Sequence, residues 1–289
     1  VVDHKVTFVN LGWTIDATQV QRELGIGRVV LINDFVAQGY GILTLEESDT
    51  EIIQAAPKLE GAPIALIGAG TGLGEAFLTT GTNGDYEVWP TEGGHAEFAP
   101  RQDGSSKLEF ELIQYLQIKF SAKARVSVER VVAGKGISNI YEFLAWKYPE
   151  RVKKEVHREF VGPIDGPRVF DPAVVTRAAL SGQCDLCQQA VNMWTSAYGA
   201  EAGVVGLTYM PFGGLYLTGG VTSKLKDFIT GRRGAGNFLD SFLDKGRVTS
   251  MLMRVPVLLV KGEDLGERGA MLKASRLYLE ALKLRSASR

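Results

Sequence analysis

The chain has 289 residues, 45% of them hydrophobic and 22% charged, with a formal net charge of −1. That balance fits a globular protein and gives no field of one sign that would favour nucleic acid or an anionic membrane surface as a partner. No stretch approaches the roughly 18 apolar residues of a membrane span and no signal-peptide pattern is read, so a cytoplasmic location is expected.

The opening VVDHKVTFVN is strand-like from its first residues and lacks an initiating Met, so the chain is expected to be a fragment of a longer one. ATQVQRELG is a short amphipathic helix with Asp16 or Thr18 as its cap. RVVLIN reads as a buried strand that stops at Asn33-Asp34, and Val36 to Leu45 as helix. An amide and a carboxylate at the tip of a buried strand either turn the chain or serve a ligand, because burying them without partners costs a few kcal/mol. PIALIGAG (63–70), EAFLTTG and YEVWP are the next strands, the last two joined by the turn GTNGD. KLEFELIQYLQIKF (107–120) is helical, VSVERVVAG a strand-to-helix passage, ISNIYEFLAWKYPERVKKE one helix and HREFVGPIDGPRVFDP a loop. A helix opens near Asp171-Pro172, and a long one runs from Cys184 to Thr208. GGLYLTGGV is a strand entering a Gly-Gly turn, VPVLLVKGED a buried strand, and GERGAMLKASRLYLEALKLR a closing amphipathic helix. Strands in groups with helices concentrated after them indicate a mixed α/β chain with hairpins.

Cys184 and Cys187 are the only cysteines. Zinc would need two further ligands that nothing nearby supplies, so they read as a reduced pair on a helix in a reducing compartment. His4 and His157 read as surface residues.

IALIGAGTGLGEAF places Gly68, Gly70, Gly72 and Gly74 alternately through a turn, with Thr71 as a hydroxyl donor. Such a loop lets backbone N–H groups approach a phosphate. It is not a dinucleotide fingerprint, because Leu73 holds the third glycine position and strand rather than helix follows. Nor is the stretch ending at Gly134-Lys135 a Walker A loop: Glu129 and Gly136 stand where Gly and Ser/Thr are required. A strand, a glycine-rich turn and a second strand remain, either a phosphate-holding hairpin or simply a tight one. WPTEGGHAEFAP sets Glu92 and His95 around Gly93-Gly94, and Glu129 follows in SVERVVAGKG. Carboxylates and an imidazole suit the neighbouring donor-acceptor hydroxyls of a sugar. Taken singly, His95 could equally be a core histidine, and Glu129 could pair with Arg125 or Arg130.

LINDFVAQGYG, IALIGAGTGLG, PTEGGHAEFAP, VERVVAGKGI and GGLYLTGGV occur in this order over essentially the whole chain. Together they resemble the bacterial-type glucokinase family of the actin/hexokinase superfamily. The resemblance implies an α/β, two-lobed actin/hexokinase-like (ribonuclease H-like) fold. Residues 1–45 plus 262–289 would form a partial small lobe and 46–261 the large lobe. It implies ATP-dependent phosphorylation of glucose to glucose 6-phosphate, with ATP and Mg²⁺ as cofactors and a homodimer as the assembly. Asn33 and Asp34 would bind the sugar, with Asp34 as catalytic base. Glu92, His95 and Glu129 would bind the remaining hydroxyls. Gly68, Gly70, Thr71 and Gly72 would line the ATP phosphates, Gly219 and Gly220 would face adenosine, and Asn10 would lie near the sugar. No residue is assigned to a metal.

The family's D-x-G-G-T-N phosphate loop does not occur in these residues. The small lobe is therefore expected to be N-terminally truncated, and the chain as it stands to bind glucose weakly with little or no kinase activity. A non-catalytic sugar-binding or regulatory protein of the same fold is the alternative. A nucleotide-binding oxidoreductase is disfavoured by the strand after Gly74.

Overall fold

The computed structural model describes residues 4–8, 12–101, 107–121, 125–163, 165–235 and 237–287. Strands β1 (Lys5–Phe8) and β2 (Trp13–Asp16) form an antiparallel pair that runs into helix α1 (Ala17–Leu24). Asp16 settles the choice of cap: its carboxylate accepts from the Thr18 and Gln19 N–H groups, two donors the helix cannot satisfy itself. Helix α2 (Asp34–Ile42) and strands β3 (Thr50–Gln54), β4 (Ile64–Ala69), β5 (Leu73–Thr80) and β6 (Tyr86–Thr91) follow. Helices α3 (Leu108–Lys119), α4 (Gly134–Lys147), α5 (Lys154–Val161), α6 (Pro172–Leu180) and α7 (Asp185–Tyr209) come next. The chain continues through β7 (Gly214–Thr218) and the short helices α8 (Gly220–Lys224), α9 (Lys226–Ile229), α10 (Phe238–Leu243) and α11 (Thr249–Leu252). It finishes with β8 (Val257–Val260) and α12 (Leu265–Ala287).

Six strands form one mixed sheet in the order β3-β8-β7-β4-β5-β6. β4, β5 and β6 are consecutive antiparallel hairpins, while β7 runs parallel to both β4 and β8. IALIGA is buried at every position because β4 is central and covered on both faces, which is why it reads as an unbroken run of small and apolar residues. On one face α7 lays Trp194, Tyr198 and Ala202 into a large core shared with α4, α6 and α10. On the other face α2 packs Val36, Tyr40 and Ile42 over Leu66, Leu78 and Val88. α12 closes over α2 at a glycine crossing. A Cβ on Gly269 would overlap the Ala37 carbonyl, and one on Gly41 would overlap the Leu265 carbonyl.

Four local expectations are corrected. VVLI (29–32) belongs to no sheet; it is half-buried with Val30 exposed, because no described strand lies alongside to complete a ladder. The single helix expected over residues 137–155 is two helices, broken at Tyr148-Pro149, since Pro149 has no N–H to continue the ladder. The second of them, α5, takes up HREFV from the expected loop, drawn in by the burial of Val156 and Phe160. His157 is half-buried against Tyr141 and Phe160 rather than free on the surface, and burial lowers its pKa. Cys184 and Cys187 are free and buried, with the Cys187 N–H donating to Cys184 Sγ at the start of α7. Asn10 lies outside the described residues.

Candidate functional site

Asn33 and Asp34 form the start of α2. Asn33 is its N-cap: Oδ1 accepts from the N–H groups of Phe35 (2.9 Å) and Val36 (3.2 Å). This leaves the Nδ2 donors of Asn33 for a ligand. Asp34 opens the first turn, with Oδ1 accepting from the Phe35 N–H at 3.0 Å. Both side chains are exposed. The capping role and the ligand-facing role thus coexist, because each side chain uses one atom for the backbone and presents another.

The glycine hairpin joins β4 to β5 beside them. Its alternating glycines do different work. Gly68 and Gly74 lie directly under the Phe35 ring, and a Cβ at Gly74 would overlap it. They are glycines so that the residue after Asp34 can seat on the sheet and hold Asp34 against the turn. Gly70 has open space where a Cβ would be. Gly72 lies under the Glu129 carboxylate, with a Cβ position only 2.6 Å from Oε2. Glu129 is thereby tied to the hairpin, accepting from the Leu73 N–H at 3.1 Å; Arg125 and Arg130 reach instead to the His95 carbonyl and the Phe120 ring. The Gly70 N–H is used by the Gly72 carbonyl (2.9 Å), and the Gly70 carbonyl accepts from Gly134 (2.9 Å). At the end of β7, Gly219 has φ +94°, and a Cβ there would overlap the Ala69 carbonyl. Only glycine lets the two parallel strand ends meet so closely.

Glu92 and His95 sit on the turn after β6, where Gly93–His95 form one turn of 3₁₀ helix. Both side chains are exposed, with His95 Nε2 3.8 Å from Glu92 Oε2. The core-histidine reading is therefore excluded. Arg125 donates to the His95 carbonyl (2.7 Å), and backbone bonds from Phe98 to Val126 and from Val128 to Ala96 bind this turn to the one carrying Glu129.

A cavity of about 420 Å³ gathers these groups. Asn33, Asp34, Gly68, Gly70, Thr71, Gly72, Glu92, His95, Glu129 and Gly219 all line it. A second, of about 550 Å³, is lined by Gly219 and Gly220 together with Gly262, Glu263 and Glu267. Asp34, Gln38 and Gly219 belong to both, so Asp34 stands where the two meet.

Among the lining residues that escaped the reading of the sequence are Gln38, Phe35 and Glu75. Gln38 accepts from the Thr218 hydroxyl at 3.0 Å; its place one helical turn beyond Asp34 was the available signal. Phe35 carried the signal of lying next to Asp34. Glu75 carried none, since a charged residue in a strand ordinarily faces water. Here it is 3% exposed, and Oε1 has no hydrogen-bond partner among the described residues. Burial, with the Glu201 charge adding to it, pushes its pKa up to about 8. Burial also raises Glu201 to about 7, against the opposing pull of Lys245.

The chain matches the family model for glucokinase over residues 1–277. It is 42% identical to a glucokinase of Nostoc sp. over 283 residues, 96% of this chain and 80% of that protein. It is 40% identical to a glucokinase of Synechocystis sp. over 281 residues, 96% of this chain and 77% of that protein. The solved glucokinase from an Antarctic psychrotroph superposes with a TM-score of 0.75 at 26% identity, over 94% of this chain and 76% of that one. The strand order and this likeness give the actin/hexokinase-like fold.

Proposed function

Because the chain belongs to the glucokinase family, we propose that Asp34 is the catalytic base of its reaction, the ATP-dependent phosphorylation of glucose. The observation that carries this assignment is the position of Asp34 at the junction of two cavities. One presents Glu92, His95 and Glu129, acceptors and a donor for sugar hydroxyls; the other runs past Gly219 and Gly220 and suits a nucleotide. In this reading Asn33 Nδ2 and the three rim residues orient glucose so that its 6-hydroxyl faces Asp34. Asp34 takes the hydroxyl proton as O6 bonds to the γ-phosphorus of ATP. The bond from that phosphorus to the β,γ-bridging oxygen breaks, and glucose 6-phosphate and ADP leave. Such a transfer depends on positioning and charge stabilisation.

Gly68, Gly70, Thr71 and Gly72 would face the phosphates, and the fit is supported by the Thr71 and Gly72 N–H groups, which take no partner among the described residues. Among the described residues no three His, Cys, Asp or Glu side chains converge on a metal position. A Mg²⁺ bound with the nucleotide would supply positive charge to neutralise the transferred group. The same reading makes 1–45 with 262–289 the part that closes over the large lobe, 46–261. It extends to a homodimer in the cytoplasm; no described helix is long and apolar enough to cross a membrane.

Calorimetric titration with glucose, with and without ATP-Mg, beside a coupled assay for glucose 6-phosphate, tests the assignment. Asp34→Ala should retain glucose binding within about tenfold while lowering turnover by about 10²–10⁴-fold, the usual contribution of a general base. Turnover unchanged in that variant would overturn the role of Asp34. Glucose binding without product in the unaltered chain would mean a sugar site that is intact without a working phosphate site.

A further inference from the structure

Glu75 lies directly behind the turn that carries Glu92 and His95. Its Oε2 occupies the space where a Cβ on Gly93 would stand, so turn and carboxyl are in van der Waals contact. A hydrogen-bonded link ties the same two segments: the Gly93 N–H donates to Thr91 Oγ1 (3.1 Å), and the Thr91 hydroxyl donates to the Glu75 carbonyl (3.4 Å). Glu75 also lines the 420 Å³ cavity, yet its Oε1 is sealed from solvent and unpartnered.

A bare carboxylate cannot rest in such a place. No cation faces it. From α7 it meets the Glu201 charge and the neutral phenols of Tyr198 and Tyr209. The turn offers Glu92 and His95, and beyond them Glu129 and Asp34 line the same cavity. The positive charge of Lys245 acts on Glu201. Ionising Glu75 would add a negative charge among carboxylates in a dry pocket and oblige water to enter through the cavity, past Gly93.

We propose that Glu75 is a positioning residue for the sugar-binding turn and works in its protonated form. As a neutral acid it fills the space under Gly93 and holds Glu92 and His95 at the cavity; when it loses its proton the turn loosens and glucose affinity falls. This rests on the reading of Glu92 and His95 as sugar ligands. With a pKa of about 8, one proton-bound molecule in about eleven remains at pH 9, so apparent glucose affinity falls about tenfold from its neutral value.

Glu75→Gln keeps the shape and the neutrality and cannot ionise. Two measurements on the full chain, at pH 6.5 and pH 9, test the proposal. In glucose titrations the unaltered protein should weaken about tenfold between the two pH values, while Glu75→Gln weakens by less than about twofold. Without sugar, amide exchange of residues 92–96 should match in the two proteins at pH 6.5 and be several-fold faster in the unaltered protein at pH 9. Comparison at equal pH cancels the intrinsic pH dependence of exchange. Parallel weakening of both proteins, or an exchange ratio that stays near one at pH 9, overturns the proposal. If neither protein binds glucose but the exchange ratio opens, the positioning by Glu75 stands and the sugar-ligand reading of the turn falls.

Discussion

The two faces of the six-stranded sheet are built on different principles. The face under α7 is thick, with Trp194, Tyr198, Phe160, Phe228 and Phe242 fully buried in a continuous core. The opposite face is thin: α2 and α12 cover it with a small cluster around Tyr40, Leu66 and Leu78. Asn33 and Asp34 ride on the thin face, and its precision comes from close approach rather than from volume. Gly74 seats Phe35, Gly39 faces Val88, and Gly269 lets α12 lie against the backbone of α2. The thick face supplies most of the stability, whereas the thin face positions Asn33 and Asp34.

Substitutions can break that division. Trp194→Ala should have the largest effect, about 3–5 kcal/mol of stability, because a fully buried indole leaves a cavity the core cannot close. Glucose affinity of the folded fraction should hardly change. A urea melt paired with a glucose titration would show this, and a large loss of affinity would mean that the thick face also sets the site. Gly269→Ala should cost about 1–3 kcal/mol through overpacking at the α2–α12 crossing. Here affinity should fall as well, since α2 is displaced at its contact with α12. Unchanged affinity in a destabilised Gly269→Ala protein would detach Asp34 from that crossing. The smallest effect belongs to Glu129→Gln, whose amide oxygen can still accept from the Leu73 N–H. Its melting point should hold while glucose binds about 3–10-fold more weakly, the value of roughly 0.5–1.5 kcal/mol for one hydrogen bond that loses its charge. A melting point that drops with the affinity would make Glu129 a fastener of the hairpin rather than a sugar ligand.

The pH dependence of stability separates the faces again. Glu75 and Glu201 hold raised pKa values behind the site. Folding therefore binds protons between the ordinary carboxylate range and pH of about 8, and stability falls as pH rises through that window before levelling above it. Asp49 on the opposite edge has a lowered pKa from its hydrogen bond with Arg268, so its contribution is present at neutral pH and lost in acid. Melting points recorded from pH 4 to 9 should lose the alkaline decline in part when Glu75 is replaced by Gln.

Much was legible before any fold was known. The apolar run of β4, the glycine hairpin, the Asp171-Pro172 helix start and the long helix α7 all stand where the sequence placed them, because each signal is local. β3 was missed because TEIIQ is an edge strand whose pairing depends on β8, some two hundred residues away. VVLI was misread for the complementary reason: a β-rich tetrapeptide is a strand only when a neighbour completes its ladder.

The sequence by itself determined the chemistry available: the Asn-Asp pair, the acid and imidazole of the turn, the glycines and their order along the chain. Residue type and spacing are enough for that, since donors, acceptors and conformational freedom belong to each residue. Only the tertiary structure decided that Gly68 and Gly74 serve Phe35, that Glu129 is bound to the hairpin, and that Glu75 is buried. Burial and close approach are properties of what lies across the gap, and that is set by elements distant in the chain.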